Sequence, residues 1–266
     1  MNDKPIGEVA QKWIDNGADY DFHIGNRKDL EAFTRASRAW KKIFHKIGGE
    51  EGTGRSAFEF GCGGGQHLVM LASRGWNAVG IDCIRKILDE AGRFLKEARV
   101  VSGKDLNVRF VEGDFMAFDT DEKFDLVFHN GVLEHFLEDG ERFEAIRKMF
   151  AITKPGGYVV SMIPSGMHPL RRRFKSEGLG GYGVPEIDYT DQIMAGEFEK
   201  IGVKEMSILP HNIFGYLLAV PGNTLERLAR RVLYYAFQLV PAGLVNRRFA
   251  FDHCGSLIGI ARKPSR

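Results

Sequence analysis

Glu59-Phe60-Gly61-Cys62-Gly63-Gly64-Gly65 has the residue types needed to cradle a nucleotide-like ligand. The apolar Ala57 and Phe58 before it read as the end of a buried strand, and Gln66 through Ala72 read as a helix opening directly behind it. Glycines let the backbone turn sharply and come close to a ligand, and the first N–H groups of a helix point at whatever is held there. Asn77-Ala78-Val79-Gly80-Ile81-Asp82 then reads as a second strand ending in a carboxylate 21 residues beyond Gly61. That is close to the spacing of about 20 residues at which an acid meets a pair of ribose hydroxyls. Gln66 stands where a nicotinamide-type G-x-G-x-x-G would have its third glycine. A third strand, Val108 to Val111, leads into the acidic turn Glu112-Gly113-Asp114-Phe115. A fourth, Phe124 to His129, runs into Asn130-Gly131-Val132-Leu133-Glu134-His135.

With these four motifs in this order, the chain resembles the class I S-adenosylmethionine-dependent methyltransferases over roughly residues 55–163, and is similar to their ubiquinone/menaquinone methyltransferase-like subgroup. The resemblance implies that Glu59, Gly61, Gly63 and Gly65 hold the methionine end of S-adenosylmethionine. It also implies that Asp82 binds the ribose hydroxyls and that Asp114, with Phe115 beside it, meets the adenine. Cys62, Cys83 and Asn130 line the same site as neighbours of these residues. Leu133-Glu134-His135 matches the segment after the fourth strand, and Lys154-Pro155-Gly156-Gly157 matches the turn before the fifth. The implied fold is α/β, a Rossmann-like sheet of seven strands with helices on both faces and the last strand antiparallel.

Methyl transfer from a sulfonium is an in-line displacement in which the charged sulfur becomes neutral, so alignment and exclusion of water carry most of the work. Alignment lowers such barriers by roughly 7–11 kcal/mol in favourable cases. A general base adds about 10²–10⁴ in rate where the acceptor is a poorly ionised hydroxyl. His135 is the first candidate base because it lies just past the fourth strand, at the sheet edge where acceptors bind in open α/β folds. The alternative is a structural histidine packed beneath the cofactor. Glu134 either acts beside it, hydrogen-bonds around the cofactor, or caps a helix. No metal site is expected.

The elements that must position these residues are legible from periodicity. Strands are expected near 57–61, 77–82, 108–112, 124–129, 157–163 and 203–209, with a last strand near 256–261. Helices are expected near 66–74, 84–100, 139–152 and 190–201. Regular alternation of the two implies a mostly parallel sheet covered on both faces. Residues 1–54 read as an N-terminal helical arm or lid, with Trp13, Ile14, Phe33, Trp40, Ile43 and Phe44 at helical intervals and Tyr20 and His23 placed to close over the cofactor or to pack as a plug. Residues 55–266 form the methyltransferase domain.

Two acceptor-side insertions interrupt that domain, at 164–190 and 210–255. The first is glycine-rich and reads as an irregular loop in which Arg171-Arg172-Arg173 and Lys175 either stay solvated or take an anionic group. The second holds an amphipathic helix at 223–237, with Leu225, Leu228, Ala229, Val232 and Ala236 on one face and Arg227, Arg230, Arg231 and Tyr234 on another. That apolar face either packs on the domain, lines an acceptor pocket, or makes a peripheral membrane contact through residues 210–240.

Composition narrows the rest. With 44% hydrophobic and 27% charged residues and a formal charge of +2, the 266-residue chain needs no polyanionic partner. Charge moves from 23 Lys/Arg against 26 Asp/Glu in residues 1–159 to 14 against 9 in residues 160–266, so the basic excess lies outside the cofactor motifs. Cys62, Cys83 and Cys254 have no C-x-x-C spacing, which argues against a disulfide framework and a structural zinc and fits a reducing, cytoplasmic setting. The expected function is transfer of a methyl group, by O-methylation, to a small-molecule, glycan or lipid-linked acceptor. The alternatives are an RNA methyltransferase and a non-catalytic S-adenosylmethionine-binding protein. A nucleic-acid partner is disfavoured because Asn130 is followed by Gly131-Val132-Leu133 and not by the Pro-Pro of amino-directed base methyltransferases.

Overall fold

A computed structural model describes residues 11–12, 22–177, 184–218, 220, 222–240 and 244–265. Trp13, Ile14, Tyr20 and the glycine-rich run 178–183 lie outside the described residues. The seven strands are β1 (Ser56–Phe60), β2 (Asn77–Asp82), β3 (Val108–Glu112), β4 (Phe124–Asn130), β5 (Thr153–Pro164), β6 (Glu205–Ile213) and β7 (Cys254–Arg262). They form one sheet in the order β3-β2-β1-β4-β5-β7-β6. The first five run parallel, and β7 runs antiparallel to both β5 and β6. The reversal of direction from β1 to β2 and β3 on one side, and to β4 and β5 on the other, opens the crevice in which such sheets bind ligands.

Alternation along the strands feeds two cores. Ala57, Ala78, Leu126, Phe128 and Val160 face one cluster, packed under α1 (Arg27–Thr34), α2 (Arg38–Lys46), α3 (Gln66–Ala72) and α4 (Arg85–Ser102). Phe58, Phe60, Ile81, Val127 and Val159 face the other, covered by α5 (Asp139–Ile152) and α7 (Asp191–Lys200). The N-terminal segment is part of the first core. Trp40, Ile43 and Phe44 of α2 are buried, and the Trp40 ring meets Phe128 edge-on at 5.1 Å. His23 lies against α4, 3.2 Å from Glu97. The Lys154-Pro155-Gly156-Gly157 turn falls inside β5, where the register against β4 shifts. Gly157 allows that bulge, since a Cβ there would stand 2.9 Å from the Asp125 carbonyl.

Both insertions differ from expectation. The first contains a helix, α6 (Pro169–Ser176), with proline at its start and the His168 side chain accepting from Leu170 N. Its basic run is divided: Arg172 and Arg173 are exposed, whereas Arg171 is turned into the protein. Arg171 is fully buried and pairs with Glu186 and Asp188, and Lys175 Nζ lies 3.0 Å from Asp188. Those acids come from the far side of the glycine-rich run, so local sequence could not pair them.

The second insertion holds α8 (Thr224–Gln238), where expected, and α9 (Arg247–Asp252), which was not. Asn223 opens α8 with a capping box closed by Glu226. The helix meets the domain through Arg230, Tyr234, Phe237 and Gln238 and leaves Leu225, Leu228 and Val232 in solvent, together with Arg227 and Arg231. No described helix is long and apolar enough to cross a membrane.

Candidate active site

The glycine loop follows β1 and turns through three left-handed glycines, Gly61, Gly63 and Gly65, at φ of +65°, +49° and +73°. Space dictates the residue type as strictly as the backbone does. A Cβ on Gly61 would stand 2.7 Å from Val132 Cγ2, and one on Gly65 would stand 2.8 Å from the Phe110 ring. Gly65 N–H donates to the Cys62 carbonyl at 3.0 Å, and α3 then opens with no side chain capping its first turn.

Asp82 ends β2 beside this loop. Its Oδ2 accepts from Gly63 N and its Oδ1 from Ile84 N, both at 3.0 Å. Partial burial raises the Asp82 pKa, and the backbone donors at Ile84, Gly63 and Cys83 pull it back down. Glu59 is almost fully buried in β1, and its Oε1 lies 2.7 Å from His67 Nδ1 on α3. Burial raises the Glu59 carboxyl, with His67 opposing, and its Oε2 has no hydrogen-bond partner among the described residues. Cys62 is buried and Cys83 exposed, both as free thiols. His67 was not anticipated as the Glu59 partner, although its place one turn into the helix behind the glycine loop was a usable signal.

Gly113 N–H donates to the Asp82 carbonyl at 3.0 Å, which ties the acidic turn after β3 to the end of β2. Asp114 is exposed there and caps the following turn through Met116 N at 2.8 Å. Phe115 points inward, its ring stacked on Phe60 at 3.9 Å. Asn130 is exposed at the end of β4, and Gly131 N–H donates to the Met162 carbonyl at 2.8 Å. The strand registers Phe60 to Ile81, Ile81 to Val111 and Phe60 to His129 bring all these residues to one edge of the sheet.

Beyond β4, Leu133–His135 makes one 3-10 turn that buries Glu134. Burial pushes the Glu134 carboxyl up to about 8, and its Oε2 has no hydrogen-bond partner among the described residues. His135 Nδ1 lies 2.8 Å from the Pro185 carbonyl, which assigns a proton to Nδ1, so that the neutral ring has its lone pair on Nε2. Burial lowers the His135 pKa, so the ring is neutral near pH 7. Glu134, His135 and Glu186 offer ligand atoms within 4.8 Å of one another, and Arg171 supplies positive charge at Glu186. The Pro185-Glu186 wall lies some 50 residues from His135 in sequence, and nothing local pointed to it.

The fit to S-adenosylmethionine can be judged from the chain itself. The loop admits no side chain at Gly61 or Gly65, a buried carboxylate oxygen of Glu59 is unpartnered beneath it among the described residues, and a second carboxylate, Asp82, stands beside the loop at the end of β2. These residues suit a ligand with an ammonium group at one end and a diol at the other.

Residues 57–157 match the methyltransferase domain family. A ubiquinone biosynthesis O-methyltransferase of Chromobacterium violaceum is 28% identical over 199 residues, covering 66% of this chain and 77% of that protein. The Stutzerimonas stutzeri protein of the same name is 27% identical over 151 residues, 48% of this chain, and the match spans 62% of its own length. A SAM-dependent methyltransferase from Archaeoglobus fulgidus superposes with a TM-score of 0.56 at 18% identity, over 88% of this chain and 98% of that one. Sheet order, glycine loop and these similarities define an α/β enzyme of the Rossmann-like methyltransferase fold. The fold is that of the class I S-adenosylmethionine-dependent methyltransferases, residues 57–157 form a methyltransferase domain, and S-adenosylmethionine is the cofactor these similarities support.

Proposed function

We propose that the protein transfers the methyl group of S-adenosylmethionine to an oxygen of a small-molecule acceptor lying over the C-terminal ends of β4 and β5. The observation that carries this reading is the placement at that edge of His135, held through Nδ1 by the Pro185 carbonyl at 2.8 Å, beside the buried Glu134, with Nε2 and Oε1 4.0 Å apart. The names of the two curated relatives favour oxygen as the methylated atom.

When bound, the cofactor supplies an electrophilic methyl group. Glu59, Asp82 and the glycine loop hold and orient it. Asp114 and Asn130 stand at the rim, on the adenine and acceptor sides of the crevice. His135, anchored through Nδ1 to Pro185, takes the acceptor proton on Nε2. Glu134, its carboxyl raised to about 8, is chiefly protonated near pH 7 and donates a hydrogen bond instead of adding a second negative charge.

The test has two arms. Calorimetry measures binding of S-adenosylmethionine and S-adenosylhomocysteine to the purified chain. Isotope-labelled cofactor with a fractionated small-molecule extract then reveals a methylated product by mass spectrometry. Cofactor binding with an O-methylated product is expected. A chain inert toward the cofactor at about millimolar concentration, well above usual KM values, overturns the reading.

A further inference from the structure

α8 presents a continuous apolar face to solvent. Leu225 is 78% exposed, Val232 60%, Leu233 64% and Leu239 84%, with Leu244 at 78% just beyond the helix. Apolar side chains at i, i+3, i+7 and i+8 normally face a core. Here the opposite stripe holds the helix. The Tyr234 hydroxyl donates to Asn212 Oδ1, Gln238 Nε2 donates to the Ile213 carbonyl at 3.0 Å, and Arg230 Nη1 donates to the Val220 carbonyl at 3.0 Å. The Phe237 ring also packs on Phe214 at 4.7 Å, so a 15-residue helix is anchored by one side with its leucines outward, built to meet an apolar phase.

Charge identifies that phase. Residues 222–249 contain five arginines and a single acid, Glu226. Arg227 and Arg231 are exposed on α8 beside the apolar stripe, and Arg247 and Arg248 are exposed on α9, where Arg248 pairs with Asp252. A basic surface bordering exposed leucine and valine complements anionic headgroups above an acyl layer.

Placement gives the contact a purpose. β5 and β6 end at the same sheet edge, where Pro164 and His211 both pair with Ser256 of β7. α8 is fastened to the last residues of β6. The 3-10 turn Gly215–Leu218 ahead of α8 places Tyr216 against His168, 4.7 Å between ring centres, in the segment that follows β5. α8 therefore stands at the end of β6, on the same C-terminal edge of the sheet as the turn that carries Glu134 and His135.

We propose that this face docks on an anionic lipid bilayer, with the acceptor edge of the sheet turned toward the membrane surface. The claim that the acceptor is drawn from that surface rests on the transferase reading above, whereas the docking itself does not.

Sedimentation of the full chain with vesicles of phosphatidylcholine alone, and of phosphatidylcholine mixed with phosphatidylglycerol, tests this. The protein is expected to bind the mixed vesicles, bind the neutral ones less, and be released by salt. An Arg227→Glu/Arg231→Glu variant should partition about 25-fold more weakly or worse, since each arginine near an anionic surface is worth about fivefold. Leu225→Gln/Leu228→Gln/Val232→Gln should abolish binding while leaving cofactor affinity unchanged by calorimetry. Three results overturn the proposal: no sedimentation with either vesicle, sedimentation that both variants retain, or a dimer in sedimentation velocity that the triple variant abolishes without any vesicle binding. Vesicle binding by a chain that does not bind the cofactor sustains the docking surface and strikes only at the transferase reading.

Discussion

The backbone N–H of Gly63 donates to Oδ2 of Asp82 over 3.0 Å, so the acid that closes β2 also braces the loop that closes β1. One carboxylate thereby couples the end of β2 to the shape of the glycine loop beside it.

Replacing Asp82 tests that coupling. Asp82→Ala leaves the N–H groups of Gly63 and Ile84 without their acceptor, each costing about 1–3 kcal/mol where water cannot replace it. Calorimetric affinity for S-adenosylmethionine should fall by about tenfold to a hundredfold or more, while the circular dichroism of the fold persists. Asp82→Asn, which keeps one oxygen acceptor, should lose less.

Gly61 admits no side chain, for two separable reasons. Its φ of +65° strains any L residue, and Val132 Cγ2 occupies the space a Cβ would take. Gly61→Ala should destabilise the chain by about 1–3 kcal/mol in urea titration. Adding Val132→Ala should restore part of that and not all, because only the clash is relieved. Full recovery would remove backbone strain from the account.

Arg171 is fully buried between Glu186 and Asp188. Arg171→Met should cost about 3–5 kcal/mol by stranding the Glu186 carboxylate. The Arg171→Met/Glu186→Gln pair should be more stable than the single variant. If the single variant unfolds like the unaltered protein, the ion pair has no structural weight.

Glu134 makes stability depend on pH with a known sign. Its carboxyl rises from an ordinary 4.5 to about 8 in the folded chain, so between those values the unfolded chain gives up its proton first. The folded state then holds more protons, and this group's contribution to stability is lost as pH rises through about 8. The difference in melting temperature between the unaltered protein and Glu134→Gln should therefore shift in favour of the variant as pH climbs across that window. Parallel curves would place the ionised form in the fold already at neutral pH.

His135, lowered by burial, should give turnover an acidic limb below the ordinary histidine value of about 6.5. His135→Gln should abolish that limb and cut kcat by about 10²–10⁴ with cofactor affinity unchanged. Retention of full turnover would leave His135 a packing residue.

Much of the cofactor half was legible in the residues themselves. Helices α3, α4, α5 and α7 and strands β1 to β4 lie within a residue or two of their expected bounds, because alternation and glycine punctuation are local signals. The same locality explains why Asp82 and Asp114 fall at one edge: each merely ends a strand, and parallel strands must end together. The helix of Pro169–Ser176 was hidden by flanking glycines, and α9 by its shortness. The Phe115 ring turned inward onto Phe60, which no motif could indicate, since the following residue was equally able to face the cleft.

The order of residues alone determined the parallel sheet, the cradle and the acids around it, because turn chemistry and strand periodicity act over a few neighbours. Tertiary structure decided what the basic residues and the amphipathic helix are for. Arg171 found its acids more than a dozen positions away, across chain that carries no pairing signal. α8 could bury either side, and Asn212 and Ile213 at the end of β6 took the one that carries Tyr234 and Gln238. An amphipathic pattern specifies two faces and not which of them meets the protein; that choice belongs to the hydrogen-bonding groups the rest of the fold leaves beside it.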